Sequence, residues 1–214
     1  MKKIGILGSG VVGRALAEGF LKSGYKVKIG TRDESKLSDW LDKAGENSSV
    51  GSFSDAAEFG EKVIICCKGD AVEEVINLAG KENFSGKVVI DVTNPLRSEK
   101  EGEAPKLFVS YPDSLGAQIQ EIISDAKVVK AFNIAASAYM CNPKLKEGTP
   151  DMFIAGNDSE AKEEVSEILK NFGWNVNDLG GIENSFLLEA LAMIWIIYGF
   201  RNNHWTHAFK LLKK

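Results

Sequence analysis

The chain has 214 residues, of which 44% are hydrophobic and 26% charged, the mix of an ordinary globular protein with one large domain and room for a small appendage. Its formal net charge of -4 comes without a basic block, which excludes nucleic acid as the natural partner, because neutralising phosphates takes clustered Lys and Arg. Three cysteines (the adjacent Cys66 and Cys67, and Cys141) and two histidines give no metal-ligand spacing and no disulfide framework, and the thiols read as small buried hydrophobes.

The N-terminus runs from Lys3 straight into glycines, without a signal-peptide pattern. A β-branched run predicts a strand over 4–7, and a helix follows over 11–23 with Val12, Leu16 and Phe20 on one face. Strand 25–29, helix 33–44, a short strand at Val50 and a short helix over 54–60 capped by Ser54 come next. Strand 63–67, helix 71–79 and strand 88–92 repeat the alternation. A looser segment with Pro95, Pro105 and Pro112 leads to a helix over 114–123 and a strand over 128–132. The chain then offers strand 152–155, helix 159–171, strand 174–179 and a long apolar helix over 184–200. Alternation at this spacing implies a Rossmann-type α/β fold, a doubly wound and mostly parallel sheet with helices on both faces. The division expected is a dinucleotide-binding domain over 1–180 and a helical segment over 181–214. The most apolar stretch, 190–200, is short for a bilayer, so a soluble cytoplasmic protein is expected; the apolar helix has to bury its surface, preferably in a homodimer.

Gly8-Ser9-Gly10-Val11-Val12-Gly13 fits G-x-G-x-x-G between a strand and a helix at the head of the chain, the context in which that pattern binds a dinucleotide. Gly8 allows the tight turn, Gly10 admits the pyrophosphate to the backbone, and Gly13 lets the helix close on the strand. An NAD site carries an acidic residue at the tip of the second strand; here that tip is Thr31-Arg32, with Lys36 one turn later. A hydroxyl, a guanidinium and an ammonium suit a 2′-phosphate, so NADP(H) is the expected cofactor. Asp33 stands too late for the ribose and suits the start of its own helix. At the carboxyl ends of the later strands lie Lys68, then Thr93-Asn94-Pro95, then Asn133, positioned to line the nicotinamide and an acceptor pocket. Both histidines, His204 and His207, fall near the C-terminus, and no central His stands ready to protonate a carbonyl, although Lys68 and Tyr139 stay open. Hydride transfer to a second conjugated ring needs little beyond stacking, which favours a redox-cofactor acceptor. The charged stretch 96–104 is a candidate lid.

The chain resembles the NADPH-dependent reductases of the deazaflavin coenzyme F420. The resemblance rests on Ile4-Gly5-Ile6-Leu7-Gly8-Ser9-Gly10 with Gly13, on Gly30-Thr31-Arg32 with Lys36, and on Val128-Val129-Lys130-Ala131-Phe132-Asn133. It continues through Phe153-Ile154-Ala155-Gly156-Asn157-Asp158 and Leu187-Leu188-Glu189-Ala190-Leu191-Ala192-Met193. The N-terminal half is also similar to the cytosolic domain of membrane ferric reductases. This resemblance implies NADP(H) contacts at Ser9, Val11, Val12, Thr31, Arg32 and Lys36, a C-terminal acceptor pocket including Asn133 and Ala135, and a homodimer. One departure is Asn133, where deazaflavin-using relatives tend to carry His. The expected activity is hydride transfer between NADPH and coenzyme F420 or a flavin-like ring. The alternatives are a flavin or ferric reductase and a non-catalytic NADP(H) sensor.

Overall fold

The structure, a computed structural model, describes residues 2–98, 100 and 102–212. The chain runs β1 (Lys3–Leu7), α1 (Val11–Lys22), β2 (Lys26–Gly30), α2 (Ser38–Ala44), β3 (Ser48–Gly51), α3 (Phe53–Phe59), β4 (Lys62–Ile65), α4 (Val72–Ala79) and β5 (Val88–Asp91). There follow β6 (Leu96–Arg97), β7 (Lys106–Leu107), α5 (Leu115–Ile122), β8 (Lys127–Lys130), β9 (Asp151–Gly156), α6 (Ser159–Asn171), β10 (Asn175–Asp178) and α7 (Ser185–Asn202). Eight strands form one sheet in the order β10-β9-β8-β5-β4-β1-β2-β3, a Rossmann-like arrangement.

Every pairing in that sheet is parallel except β8 with β9, where Val129 faces Gly156 and Lys130 faces Ala155. The cause is the connection. Residues 131–150 hold one 3-10 turn, Ser137–Tyr139, and no crossover helix, so the chain re-enters the sheet from the end it left. Period-two alternation sorts the strands between two cores: Ile4 and Ile6 of β1 join one face, Leu7 the other.

Several local expectations need correction. The helix expected over 33–44 is a 3-10 turn, Glu34–Leu37, followed by α2, because Asp33 caps the turn through the N–H of Ser35. The cap of α3 is Ser52 rather than Ser54: Ser52 and Asp55 form a reciprocal capping box that fixes the helix start two residues earlier. Strand β4 stops at Ile65, leaving Cys66 and Cys67 in the loop beyond it. The proline-rich segment contains the antiparallel pair β6/β7. Of the suspected lid, Glu99 and Glu101 lie outside the described residues.

Helix α7 is longer than the apolar run suggested. With the turn before it, Ile182–Asn202 is 21 residues and, by length and composition alone, apolar enough to cross a membrane, so it is not too short for a bilayer as the sequence suggested. Its inner face is seated in the fold through Leu188, Glu189, Ala192 and Trp195, while Leu187, Ile194, Ile197 and Tyr198 face out. The following tail folds back, with the His207 ring stacked on Trp195 at 4.6 Å and Trp195 Nε1 donating to the His207 carbonyl at 2.8 Å.

Candidate functional site

The turn between β1 and α1 is built from three glycines with three different duties. Gly8 has φ of 137°, and a Cβ there would come 2.9 Å from the Cys66 carbonyl oxygen. A Cβ on Gly13 would lie 1.9 Å from the Gly8 oxygen, so only glycine lets α1 approach the strand this closely. A Cβ on Gly10 would meet nothing within 4 Å. Gly10 caps α1 in an extended conformation with no side-chain bond, and the first turn carries no acidic residue. The leading N–H groups of α1 therefore point, uncapped, into open space beside a positive dipole end, an arrangement that receives a phosphate.

Ser9 joins this turn to the tip of β2, its hydroxyl lying 3.0 Å from that of Thr31. Thr31 is buried, whereas the Arg32 side chain is 70% exposed and meets Glu74 of α4 at 3.7 Å. Lys36 is similarly exposed and pairs with Asp33 at 3.6 Å. The Asp33 carboxylate accepts from the N–H and hydroxyl of Ser35, bonds that hold its pKa below the usual carboxylate value. It is thus spent on its own turn, and the groups left for a ribose phosphate are cationic.

A cleft of about 460 Å³ opens next to the glycine turn, where β4 and β5 end. Val12, Cys66, Cys67, Lys68, Thr93 and Asn94 line it, and Leu96, Arg97 and Pro105 of the β6/β7 hairpin segment close one side. Pro95 is buried, and a Cβ on Gly69 would collide with the Asn94 backbone oxygen. Burial pushes the Cys67 thiol up to about 12 and the Cys66 thiol higher still, so both are neutral thiols at physiological pH. The Arg97 guanidinium rests over the Phe108 ring at 5.3 Å.

Asn133 sits under the cleft rather than in its lining. It is 6% exposed, and its Nδ2 donates to Asn94 Oδ1 and to the Leu188 carbonyl, both at 2.9 Å, while its own carbonyl accepts from Asn94 Nδ2 at 2.8 Å. What it provides is support for Asn94. Ala135 is half-buried against the core, Tyr139 lies in the turn packed on α1, and both histidines belong to the aromatic cluster of the tail. Among the described residues no cluster of His, Cys, Asp and Glu is placed to hold a metal ion.

This geometry fits a dinucleotide whose pyrophosphate meets the start of α1. The F420-dependent NADP reductase of Methanocaldococcus jannaschii is 30% identical over 91% of this chain and 91% of its own. The chain belongs to the F420-dependent NADP oxidoreductase family. The family's own pattern, NADP oxidoreductase coenzyme F420-dependent, matches residues 3–95, which span the glycine turn, the β2 tip and the β4 and β5 exits. A crystal structure of a proposed F420-dependent NADP reductase from Arthrobacter sp. FB24 superposes with a TM-score of 0.92 over the whole of both chains, at 34% identity. Metalloreductase STEAP3 of Rattus norvegicus is 26% identical over 89% of this chain, well past the N-terminal half expected to be similar, yet the match spans 36% of the metalloreductase's length. An imine reductase from Aspergillus terreus, at 20% identity and a TM-score of 0.68, shares the fold.

The F420-dependent NADP oxidoreductase family pattern ends at Pro95, before α5, β8 and Asn133. The fold also gathers Asp91, Lys130 and Glu189, none of them expected at the site from sequence, into a buried ionic group beneath the cleft. A signal was present: each is a lone charge inside an apolar run, Val-Ile-Asp-Val, Val-Val-Lys-Ala and Leu-Leu-Glu-Ala.

Proposed function

We propose that this NADP-dependent oxidoreductase passes hydride between NADP(H) and a deazaflavin such as coenzyme F420, or a flavin-like ring. The observation that carries the reading is the open cleft beside an uncapped, glycine-built helix start, with a cationic β2 tip at one end. Bound there, NADPH would supply a hydride, its hydrogen and both electrons passing to the acceptor ring, which would take one further proton from solvent as NADP⁺ is left. The chain's own part is binding and orientation. The first-turn N–H groups of α1 hold the pyrophosphate, Ser9 and Thr31 face the ribose, and Arg32 and Lys36 hold the 2′-phosphate. Val12, Thr93 and Asn94 flank the nicotinamide, and Lys68 and Arg97, with Asp70 the one acid among the lining residues, are left to meet the acceptor. The two cleft thiols are protonated and so poor nucleophiles, which suits direct transfer between two stacked rings.

The acceptor is tested by following anaerobic NADPH oxidation with coenzyme F420, and separately with flavin and with a ferric chelate. Rapid reduction of the deazaflavin is the expected result. Turnover only with flavin and ferric chelate would favour the second reading, a flavin-dependent ferric reductase, which the similarity to the metalloreductases supports. No turnover with any acceptor, despite tight NADPH binding, would overturn both. We further propose that the protein works as a cytoplasmic homodimer formed through the outer face of α7.

A further inference from the structure

Lys130, Asp91 and Glu189 are all wholly buried. Lys130 Nζ donates to Asp91 Oδ2 at 2.7 Å and to Glu189 Oε1 at 2.9 Å. Glu189 also accepts the backbone N–H groups of Leu115 at 3.2 Å and Gly116 at 3.1 Å, in the first turn of α5. Asp91 Oδ1 accepts the N–H of Thr93 at 2.8 Å and its hydroxyl at 2.7 Å. Beside this ionic ladder runs the neutral one, from the Leu188 carbonyl through Asn133 to Asn94. Adjacent residues of α7, Leu188 and Glu189, are thereby tied to adjacent residues of the cleft wall, Asn94 and Thr93.

Stability alone does not call for such an arrangement. Taking three charges out of water costs several kcal/mol each, on the order of what their attraction returns, and well-packed apolar groups of like volume serve a core as well or better. Burial works against the Lys130 ammonium, but Asp91 and Glu189 outweigh it and raise its pKa, so the lysine stays charged. The Asp91 and Glu189 oxygens have further partners besides the ammonium. The peptide N–H groups of α5 and Thr93 donate to them, so each member's place is fixed by the others.

We propose that Glu189 is a positioning residue for the cofactor cleft: through Lys130 and Asp91 it holds the Thr93–Asn94 wall, so that the seat of α7 sets the shape of the nicotinamide site. The inference rests on the cofactor reading of that cleft. The test compares wild type, Glu189→Gln, Glu189→Asp and Leu169→Ala, a core variant on α6 that loses stability at a distance from the cleft. NADPH affinity is read by fluorescence titration and the Thr93 amide by NMR-detected hydrogen exchange. Glu189→Gln is expected to speed Thr93 exchange and weaken NADPH binding by about tenfold or more each, the size expected when a bond to a charged group is lost. Glu189→Asp, which keeps the charge, should recover part of both, and it stands in if the glutamine variant does not fold. Leu169→Ala should keep its NADPH affinity. Equal effects in Glu189→Gln and Leu169→Ala, or unchanged exchange and affinity in Glu189→Gln, would overturn the proposal. If even the wild type failed to bind NADPH, the cofactor reading would fall, while the exchange comparison, which needs no ligand, would still decide whether Glu189 holds Thr93.

Discussion

Gly10 and Gly13 stand three residues apart in one motif, yet the space around them assigns opposite consequences to the same substitution. A methyl group on Gly10 enters open space, whereas on Gly13 it collides with the Gly8 backbone. Gly10→Ala should therefore leave the melting temperature within a few degrees and weaken NADPH binding, because the methyl occupies the phosphate's approach. Gly13→Ala should lose both binding and stability, the latter by about 1–3 kcal/mol or more, as for other overpacked cores. Thermal melts with NADPH titrations check this, and a Gly10→Ala variant with wild-type affinity would remove the pyrophosphate from the turn. At the other end of the cofactor, Arg32→Ala should cost about 1.5–3 kcal/mol of NADPH binding, the range for a bond to a charged group. NADH affinity should barely move, and equal losses for both would detach Arg32 from the 2′-phosphate. Because Glu74 shares Arg32, the measured cost is a difference between two partners. These residues were legible in sequence because their spacing to a strand end is itself the signal. Asn133 was only half legible: its position at a strand end was evident, but not that its amide turns inward to Asn94 and Leu188.

The elements were read from periodicity, which locates strands and helices well and their ends poorly. The parallel core emerged because β1, β2, β4, β5 and β8 are short β-branched runs joined by helical segments. The reversal at β9 did not, since it depends on the missing crossover helix in residues 131–150, a feature of path rather than of pattern. The Ser54 cap was misplaced for a local reason. Ser52 and Ser54 both suit a cap, and only Ser52 has Asp55 three residues on to complete the box. Ser52→Ala should thus cost about 1 kcal/mol in chemical denaturation, and Ser54→Ala much less. The Asp55 carboxylate is held below its ordinary 3.8 chiefly by the Ser52 hydroxyl and then by the Ser52 N–H. Its contribution is accordingly complete above pH 3.8 and fades as pH falls through the lower folded value. Asp55→Asn should flatten the acid limb of the stability profile in that window and change little at neutral pH beyond the loss of the cap. An unchanged acid limb would place the box outside the stability ledger.

For the whole molecule, the two faces of α7 are unlike. The inner face carries Leu188, Glu189, Ala192 and Trp195 into the fold, and the outer face leaves Ile194 at 59% exposure with Leu187, Ile197 and Tyr198 alongside. These four recur at helical spacing on one stripe of an 18-residue helix, a contiguous apolar surface of the kind that monomers seldom leave in water. A second copy meeting the same stripe across a twofold axis covers it on both sides at once, since such an interface is self-complementary. Ile194→Lys combined with Ile197→Lys places like charges across that axis, and sedimentation velocity at tens of micromolar, a range set by the affinity of ordinary dimers, should show the mass fall to one chain. The inner face is untouched by these changes, so the ties from Glu189 and Leu188 to Thr93 and Asn94 remain, and NADPH affinity should stay close to that of wild type. Wild-type protein sedimenting as a monomer under the same conditions would end the dimer reading. A dimer that dissociates together with a large loss of NADPH binding would instead mean that the partner's weight on α7 is part of what keeps the cleft in shape.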